Sequence, residues 1–446
     1  MKMYDVIGIG LGPSNLSLAA LLEESTGLQA LFFEEKESFT WHPGLLLEET
    51  TLQVPFMADL VTMANPRSEY TFLNYLKETG KLYLFFSYNE FTIPRAEYNQ
   101  YLTWAANKLG NIRYSSKAVN VELDEKGYIV TVFNAKTKTY IQYFAHHIVM
   151  GTGQVPNVPV HVNDEWRDRV FPALRYAFKR EELLNLNHIT VVGSGQSAAE
   201  IFFDLMEHQN SHSFTVEWIT RSPALRELET TKFRLEMFTP AYVQYFEELS
   251  FEKRKEGLAY FYQLRNGINP ETLDKIYRKL YHRSLSSNSI RASIRLHTEL
   301  ESIEHGFILN LKHLEEERSL STRTDAVILA TGLKPNIPHW FHENFSHLIE
   351  WESDQHYKVG RDYSLSFKEP NPHHFFILTG LDQSHGTAST NLKLSVFRNQ
   401  LIINKLAGYE LFKIESTTSF QSFSSAVQGD DSFQKDMEVV RDVSYY

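Results

Sequence analysis

The chain of 446 residues contains no cysteine, which excludes disulfides, a thiolate nucleophile, iron–sulfur clusters and cysteine-ligated zinc. It also lacks a run of about 18 apolar residues that could cross a membrane, and its N-terminus has no basic segment followed by a cleavage site. A basic block is equally absent, because 44 Lys and Arg oppose 55 Asp and Glu, and this argues against a nucleic-acid-binding surface. We therefore expect a cytoplasmic protein whose redox chemistry depends on a bound cofactor.

The opening of the chain has the pattern of a nucleotide-binding strand, turn and helix. The turn contains Gly8, Gly10, Gly12 and Pro13. Glycines at this place let backbone N–H groups at the start of a helix approach a pyrophosphate. An acidic residue at the end of the next strand should hold the ribose hydroxyls, and Glu34 is predicted for this role with Glu35 as the alternative.

The same pattern returns near the middle of the chain. This second turn contains Gly193, Ser194, Gly195, Gln196 and Ser197. At the end of the following strand Arg221 replaces the acidic residue, and a cation there suits a 2′-phosphate, which favours NADPH over NADH. The alternative is that Arg221 is only a solvated surface residue. Two such units in one chain predict an α/β fold with two Rossmann-like domains, the first for FAD and the second for NADPH.

Two further stretches, 146–159 and 325–338, resemble each other, since each has an apolar strand that closes on Thr-Gly and is followed by proline. Thr331 and Gly332 of the second stretch are predicted to contact a cofactor. Thr-Gly turns that close two successive nucleotide domains are typical of flavoproteins that use FAD and NADPH.

These signals predict a discontinuous domain organisation. Residues 1–160 and 335–415 are assigned to the FAD domain, and 161–334 to the NADPH domain. Within the latter, 224–290 lacks strand-like runs and is interpreted as a mainly helical insertion. From 416 to 446 the chain is rich in Ser, Thr and Gln, which predicts a tail draped over the surface.

Beyond the glycine turns, three segments resemble the N-hydroxylating flavin monooxygenases: FTWHPGLLLEETTLQVPF, ADLVTMANPRSEYTFLNYL and PRAEYNQYLTWAA. The likeness runs from Tyr4 to about Gly408 and includes GSGQSAAE, ATGLKPN and HGTASTNL. Members of that family oxidise the terminal amine of lysine, ornithine or a diamine for hydroxamate siderophores. The resemblance implies FAD, NADPH and O₂, with a C4a-hydroperoxyflavin that hydroxylates a neutral primary amine. It also suggests a homotetramer.

Four residues match family positions near the flavin ring: Trp41, His42, Gln53 and Phe56. His42 and Gln53 are the candidates for a catalytic role, and a purely structural hydrogen-bonding role is the alternative for both. Phe56 is also assigned to the substrate site. For Trp41 and Phe56 the alternative is core packing. No general base is predicted.

Two departures from the family pattern concern the substrate. The amino-acid hydroxylases carry a lysine that pairs with the substrate carboxylate, and Ala58 stands in its place; an asparagine with the same partner is replaced by Leu235. A carboxylate buried without these donors would be costly, so the resemblance favours a carboxylate-free amine such as putrescine, cadaverine or histamine. A compensating cation at Lys232 or Arg234 is the alternative.

A remote ammonium or an imidazole of such a substrate needs a carboxylate or an aromatic face, and Glu236 and Tyr70 are the candidates. Three competing functions stay open: an L-lysine or L-ornithine N-monooxygenase, a different flavin monooxygenase, and a catalytically silent NADPH-binding redox sensor. The second class would carry an F-x-G-x-x-x-H fingerprint, and the nearest match in this chain, which begins at Phe171, lacks both the Gly and the His. The 18 histidines show no metal-ligand spacing, so no metal is predicted.

Overall fold

The computed structural model describes residues 2–25, 27–285 and 290–425. The strands are β1 Met3–Ile9, β2 Ala30–Phe33, β3 Thr51–Pro55, β4 Thr92–Pro94, β5 Ile112–Arg113, β6 Ser116–Asp124, β7 Gly127–Asn134, β8 Thr139–Met150, β9 Gln154–Pro156, β10 Val170–Pro172, β11 His188–Val192, β12 Thr215–Ile219, β13 Ala292–Arg295, β14 Thr298–Glu304, β15 Ile308–His313, β16 Arg318–Arg323, β17 Ala326–Leu329, β18 Leu333–Pro335, β19 Trp351–Ser353, β20 His356–Tyr357 and β21 Phe375–Ile377. The α-helices are α1 Pro13–Ser25, α2 Phe72–Glu78, α3 Leu82–Tyr88, α4 Arg95–Lys108, α5 Tyr176–Leu183, α6 Gln196–His208, α7 Lys232–Leu235, α8 Pro240–Glu248, α9 Phe251–Arg265, α10 Pro270–Ser284, α11 His339–Phe345, α12 Asp382–His385 and α13 Leu392–Ala407.

The first sheet has the strand order β5-β2-β1-β8-β7-β6, with β21 also paired to β8. Strands β5, β2, β1, β8 and β21 run parallel, as the glycine turn between β1 and α1 requires. The long strand β8 pairs through its second half with β1 and through its first half, antiparallel, with β7. Helix α1 packs against β2, and α13 packs against α1. The central strands β1, β2 and β21 are apolar and largely buried.

The second sheet, β10-β17-β11-β12-β13, is parallel throughout. Helix α6 packs on one face through Ile201, Phe202 and Leu205. The antiparallel meander β14-β15-β16 shares a second core with the other face. The two sheets confirm the predicted α/β fold with two Rossmann-like units.

The predicted helical region follows β12. Helices α7 to α10 lie there, and the stretches expected at 251–265 and 270–285 form α9 and α10. Residues 286–289 of this region and 426–446 of the predicted tail lie outside the described residues. The domain boundaries stay predictions.

The two internally similar stretches pair with each other. Strands β9 and β18 form an antiparallel connecting ribbon between the sheets, in which Leu333 faces Pro156 and Pro335 faces Gln154. Within the described parts of the chain, no helix is long and apolar enough to cross a membrane.

Candidate active site

The first glycine turn connects β1 to α1 and is shaped by close contacts. Gly10 has a φ of 82°, and a Cβ built on it would lie 2.5 Å from the carbonyl oxygen of Gly151. A Cβ on Gly12 meets no atom within 4 Å, so this position borders open space at the start of α1. Pro13 is the first residue of the helix, where the N–H that proline lacks has no intrahelical acceptor. The turn has the clearance that a pyrophosphate needs.

Glu34 lies directly after β2 and points into this turn. Its side chain accepts hydrogen bonds from the backbone N–H of Leu11 at 2.8 Å and of Lys36 at 3.0 Å, and the residue is buried. Glu35, the alternative, forms a surface ion pair with Lys117 instead. The geometry therefore favours Glu34 as the ribose-binding acid.

The second turn, between β11 and α6, has the same arrangement of one tightly packed glycine and one glycine that borders open space. Gly193 has a φ of 151°, and a Cβ there would clash with the carbonyl oxygen of Ala330, whereas a Cβ on Gly195 would meet no atom within 4 Å. Trp218 fixes the turn by donating from Nε1 to the Gly193 carbonyl at 2.7 Å. Ser194 and Ser197 are half-buried in the same turn.

Arg221 follows β12 at the edge of this turn. Its side chain is 72% exposed and its guanidinium lies 3.6 Å from the Glu299 carboxylate. An exposed ion pair of this kind contributes little to stability, so Arg221 is free to turn towards a phosphate. Its predicted contact with a 2′-phosphate stays a prediction.

The connecting ribbon is closed by two matching sets of hydrogen bonds. Thr152 donates its hydroxyl to the Asn336 carbonyl at 2.6 Å, and Thr331 donates to the Asn157 carbonyl at 2.5 Å. The N–H of Asn157 donates to Gly332 at 2.9 Å, and the N–H of Asn336 donates to Gly153 at 3.0 Å. Thr331 and Gly332 therefore shape the crossing between the sheets, a role that the sequence did not reveal.

The loop before β3 holds the predicted flavin-ring residues. Trp41 is positioned by its N–H, which donates to the Asn99 side chain at 2.9 Å, and its ring lies 4.8 Å from that of His42. Burial, and then the charges of Arg95 and Lys36, lower the pKa of His42 to about 4. The imidazole is therefore neutral at neutral pH.

Gln53 is half-buried on β3, and its side-chain Nε2 lies 3.5 Å from the carbonyl oxygen of Thr51. This long contact leaves most of the hydrogen-bonding capacity of the amide for another partner. Gln53 thus lies on the strand that follows the loop of Trp41 and His42.

A buried ion pair joins this loop to the second turn. The Arg95 guanidinium binds both carboxylate oxygens of Glu200 on α6, at 3.0 and 2.8 Å, and also donates to the Leu45 carbonyl. Gln196, in the predicted second turn, donates to Glu200 at 2.9 Å and accepts from the N–H of Asn269 at 2.7 Å. Sequence reasoning missed Arg95 and Glu200, because only the fold brings them together.

Two predicted substrate residues, Phe56 and Tyr70, have partners within the protein. Phe56 packs in an aromatic cluster with Phe72, Phe85 and Phe91. The Tyr70 hydroxyl donates to Glu23, near the end of α1 that is opposite to the glycine turn. The structure thus gives Phe56 a packing role and does not bring Tyr70 to the other substrate candidates.

Ala58 is 2% exposed and precedes a self-contained loop. Asp59 organises that loop by accepting from the N–H groups of Val61, Thr62 and Phe72. The loop continues to Met63, which borders a cavity of about 390 Å³.

This cavity is called the amine cavity because the substrate is proposed below to bind in it. It is lined by Met63, Glu236, Phe238, Thr239, Pro240, Lys393, Leu394, Phe397, Gln400, Glu415, Thr417, Thr418, Ser419 and Phe420. Of the predicted substrate residues, it includes Glu236, while Leu235 is adjacent in sequence and 41% exposed. Burial lowers the pKa of the Lys393 ammonium at the cavity wall.

Helix α13 connects the amine cavity to the first turn. The hydroxyls of Ser14 and Ser395 are 3.0 Å apart, and Asn399 donates to the Ser14 carbonyl at 2.9 Å. Asn15 supports the turn by donating to the Gly10 carbonyl at 2.7 Å. Sequence reasoning missed Ser395 and Asn399, because only the fold brings them to the start of α1.

Known proteins resemble the whole of this arrangement. A family model described as L-lysine 6-monooxygenase/L-ornithine 5-monooxygenase matches residues 2–335. A putrescine N-hydroxylase of Shewanella oneidensis is 38% identical over 428 residues, which cover 94% of this chain and 84% of the relative. Another putrescine N-hydroxylase, from Acinetobacter baumannii, is 32% identical over 96% of this chain and 95% of its own length.

Solved structures agree with the sequence matches. The FAD-bound cadaverine monooxygenase DfoA of Erwinia amylovora superposes with a TM-score of 0.90 at 36% identity, covering 95% of this chain and 99% of that one. The ornithine N-hydroxylase of Kutzneria sp. 744 gives a TM-score of 0.84 at 27% identity, covering 91% and 99%. The predicted family and enzyme class are confirmed: this chain belongs to the L-lysine 6-monooxygenase/L-ornithine 5-monooxygenase family of flavin-dependent N-hydroxylating enzymes.

Proposed function

We propose that this protein N-hydroxylates an aliphatic diamine such as putrescine or cadaverine, and that the product enters hydroxamate siderophore assembly. The observation that carries the proposal is Ala58, which is buried where the amino-acid hydroxylases have a carboxylate-binding lysine. Putrescine and cadaverine, and not histamine, are the substrates named for the relatives above. A catalytically silent redox sensor does not agree with membership of an enzyme family.

The predicted cofactors FAD and NADPH are confirmed by the family and its FAD-bound and NADP⁺-bound members. The two turns fit these groups, because Gly12 and Gly195 leave open space at the starts of α1 and α6. When bound, the flavin supplies reducing equivalents from NADPH for the activation of O₂. Glu34 would hold the FAD ribose and Arg221 the NADPH 2′-phosphate.

The protein's own contribution to the chemistry is to accept the amine in its neutral form. A primary amine with a pKa near 10 is mostly protonated at neutral pH, so the site must disfavour the charged form. Burial lowers the pKa of Lys393 at the cavity wall, which agrees with surroundings that disfavour a charged amine. Met63, Phe238 and Phe397 add apolar surface that suits a methylene chain.

We also propose a cytoplasmic location, which is the expectation from the sequence, and a homotetramer, which rests on the family resemblance. No group of three or more His, Asp or Glu side chains in the described parts of the chain is placed to hold a metal ion.

The test is an amine panel with FAD supplied, in which hydroxylamine product and NADPH consumption are measured together for putrescine, cadaverine, histamine, lysine and ornithine. We expect product from the diamines and little from the amino acids. Robust product from lysine or ornithine would overturn the argument from Ala58 and leave the enzyme class unchanged.

A pair of variants sharpens the test. Ala58→Lys should lower kcat/KM for diamines by at least about tenfold, because the added ammonium would repel the charged second amine of the substrate at low dielectric. Ala58→Met adds comparable volume without charge and is the matched control. Equal losses in both variants would mean that volume, and not charge, excludes the substrate. Flavin content checks the folding of each variant.

A further inference from the structure

Residues 415–423, here called the strap, lie across the helical region and form one side of the amine cavity. Glu415, Thr417, Thr418, Ser419 and Phe420 line the cavity opposite α13. The sequence alone predicted only a surface tail here, so its contribution to a cavity wall is a product of the tertiary structure.

Glu236 anchors the strap. One carboxylate oxygen accepts the N–H of Phe420 at 3.0 Å, and the other accepts the N–H and the side-chain amide of Gln421 at 3.0 and 2.9 Å. The same Gln421 amide donates to the Phe233 carbonyl at 2.6 Å. These bonds, the Phe420 N–H first, lower the pKa of Glu236, so the carboxylate is charged at neutral pH.

Two further contacts extend the attachment along α8. The N–H of Ala241 donates to the Thr418 hydroxyl at 3.0 Å. The Phe423 ring lies 5.1 Å from that of Tyr242 and 6.2 Å from that of Tyr245. The strap is therefore held in its middle by hydrogen bonds at 418–421 and at its C-terminal end by aromatic packing of Phe423.

The position of the cavity makes this attachment relevant to the reaction. Lys393, Leu394 and Phe397 of α13 form the facing wall, and Ser395 of the same helix contacts Ser14 in the first turn of α1. The strap thus lies on the outer side of a space that is one helix away from the predicted FAD site, and its Phe420 is 88% exposed.

We propose that Glu236 is a positioning residue, which holds the strap as the outer wall of the amine cavity and does not itself bind the substrate. This inference rests on the proposed function. Productive turnover converts the amine, O₂, NADPH and a proton to hydroxylamine, water and NADP⁺. If water enters instead, NADPH, O₂ and a proton give NADP⁺ and hydrogen peroxide. A fixed wall favours the first outcome and limits the length of the amine.

The experiment compares wild-type enzyme with Glu236→Ala, Glu236→Gln and Gln421→Ala, and uses Glu252→Ala on the exposed side of α9 as the control for loss of one carboxylate. Diamine KM, NADPH oxidation and the hydroxylamine-to-peroxide ratio are measured. Tryptic cleavage after the exposed Lys413, just before the strap, reports the attachment without turnover.

For Glu236→Ala we expect KM to rise about tenfold, peroxide to become the main product, and cleavage after Lys413 to accelerate about tenfold, because three hydrogen bonds to a charged group are lost. NADPH oxidation at saturating amine should stay within about twofold of wild type. Glu236→Gln and Gln421→Ala should be intermediate, since each keeps part of the network. Glu252→Ala should match wild type.

Three results would overturn the inference. Unchanged kinetics and cleavage in Glu236→Ala would mean that the strap needs no anchor. Faster cleavage with unchanged KM and product ratio would remove the strap from the substrate site. Altered kinetics with unchanged cleavage would make Glu236 a direct substrate ligand. Failure of the proposed function is distinct, because wild-type enzyme would then yield no hydroxylamine from any diamine.

Discussion

The two glycine turns of this protein use one backbone device with opposite charges beside it. In the first, the strand after the helix is followed directly by Glu34, which is buried and already bonded to Leu11 within the turn. In the second, the equivalent strand ends near Arg221, which is 72% exposed. The first site is pre-organised, and the second presents a cation that is free to move.

This difference agrees with the functions proposed for the two turns. A ribose diol is neutral and needs an acceptor held in one place, whereas a 2′-phosphate is charged and attracts a flexible cation. NADPH must enter and NADP⁺ must leave in each turnover. The fixed carboxylate of Glu34 suits the ribose, and the mobile guanidinium of Arg221 suits the 2′-phosphate.

The test with the largest expected effect separates glycines that the fold requires from glycines that leave room for a ligand. Gly10→Ala should destabilise the protein by about 3 kcal/mol or more, because the added Cβ meets the Gly151 carbonyl at a positive φ. Gly12→Ala and Gly195→Ala should fold normally but bind FAD and NADPH weakly, respectively. Urea unfolding and ligand titration measure the two effects. A stable Gly10→Ala protein with normal flavin content would contradict the packing argument.

Acid should act on the half of the molecule that contains the first sheet. Burial lowers the pKa of His42 and His147 to about 4 and that of His385 to about 3. Each imidazole is neutral when folded and protonates first when unfolded, so the stability is complete above about pH 6.5 and is lost as the pH falls towards the folded values.

At pH 5.5 the expected loss is about 1 kcal/mol for each of these histidines. Urea unfolding at pH 7.5 and 5.5 measures it, and His147→Asn should reduce the difference between the two. A protein equally stable at both values would show that these imidazoles are solvated.

Glu34→Ala should weaken FAD binding by roughly 10-fold to 100-fold, which corresponds to loss of a hydrogen bond to a charged group. Glu35→Ala is the matched control, since its surface pair with Lys117 contributes little. Flavin fluorescence titration of the apoprotein gives both affinities. If the control lost as much affinity, the assignment would move to Glu35.

Arg221→Ala should have the smallest effect, a loss of roughly tenfold in kcat/KM for NADPH with little change for NADH. Arg323→Ala, an exposed arginine on β16, is the control for loss of one positive charge. Equal losses with both cofactors would place Arg221 away from the 2′-phosphate.

Local pattern was sufficient for much of the fold. Alternation of apolar strand, glycine turn and amphipathic helix occurs twice, and both turns form as predicted around Gly10 and Gly193. Helices α9 and α10 also agree with their sequence patterns. These features depend on residues close together in the chain, so the local sequence pattern is sufficient to predict them.

Contacts between distant residues were not predictable in the same way. Tyr70 was expected to meet the substrate, but its hydroxyl binds Glu23. Glu236 was expected to bind the substrate directly, but its carboxylate holds Phe420 and Gln421. In both cases the residue type suggested a ligand, and the fold supplied a partner from elsewhere in the chain.

The sequence by itself determined the two nucleotide-binding units, the charge beside each turn and the absence of the carboxylate-binding lysine at Ala58, because glycine, side-chain charge and side-chain length act at the residue itself. The tertiary structure alone decided the Arg95–Glu200 ion pair, the connecting ribbon of β9 and β18, and the strap beside the amine cavity. Their energies arise from groups far apart in the chain, and only folding sets the distances between them.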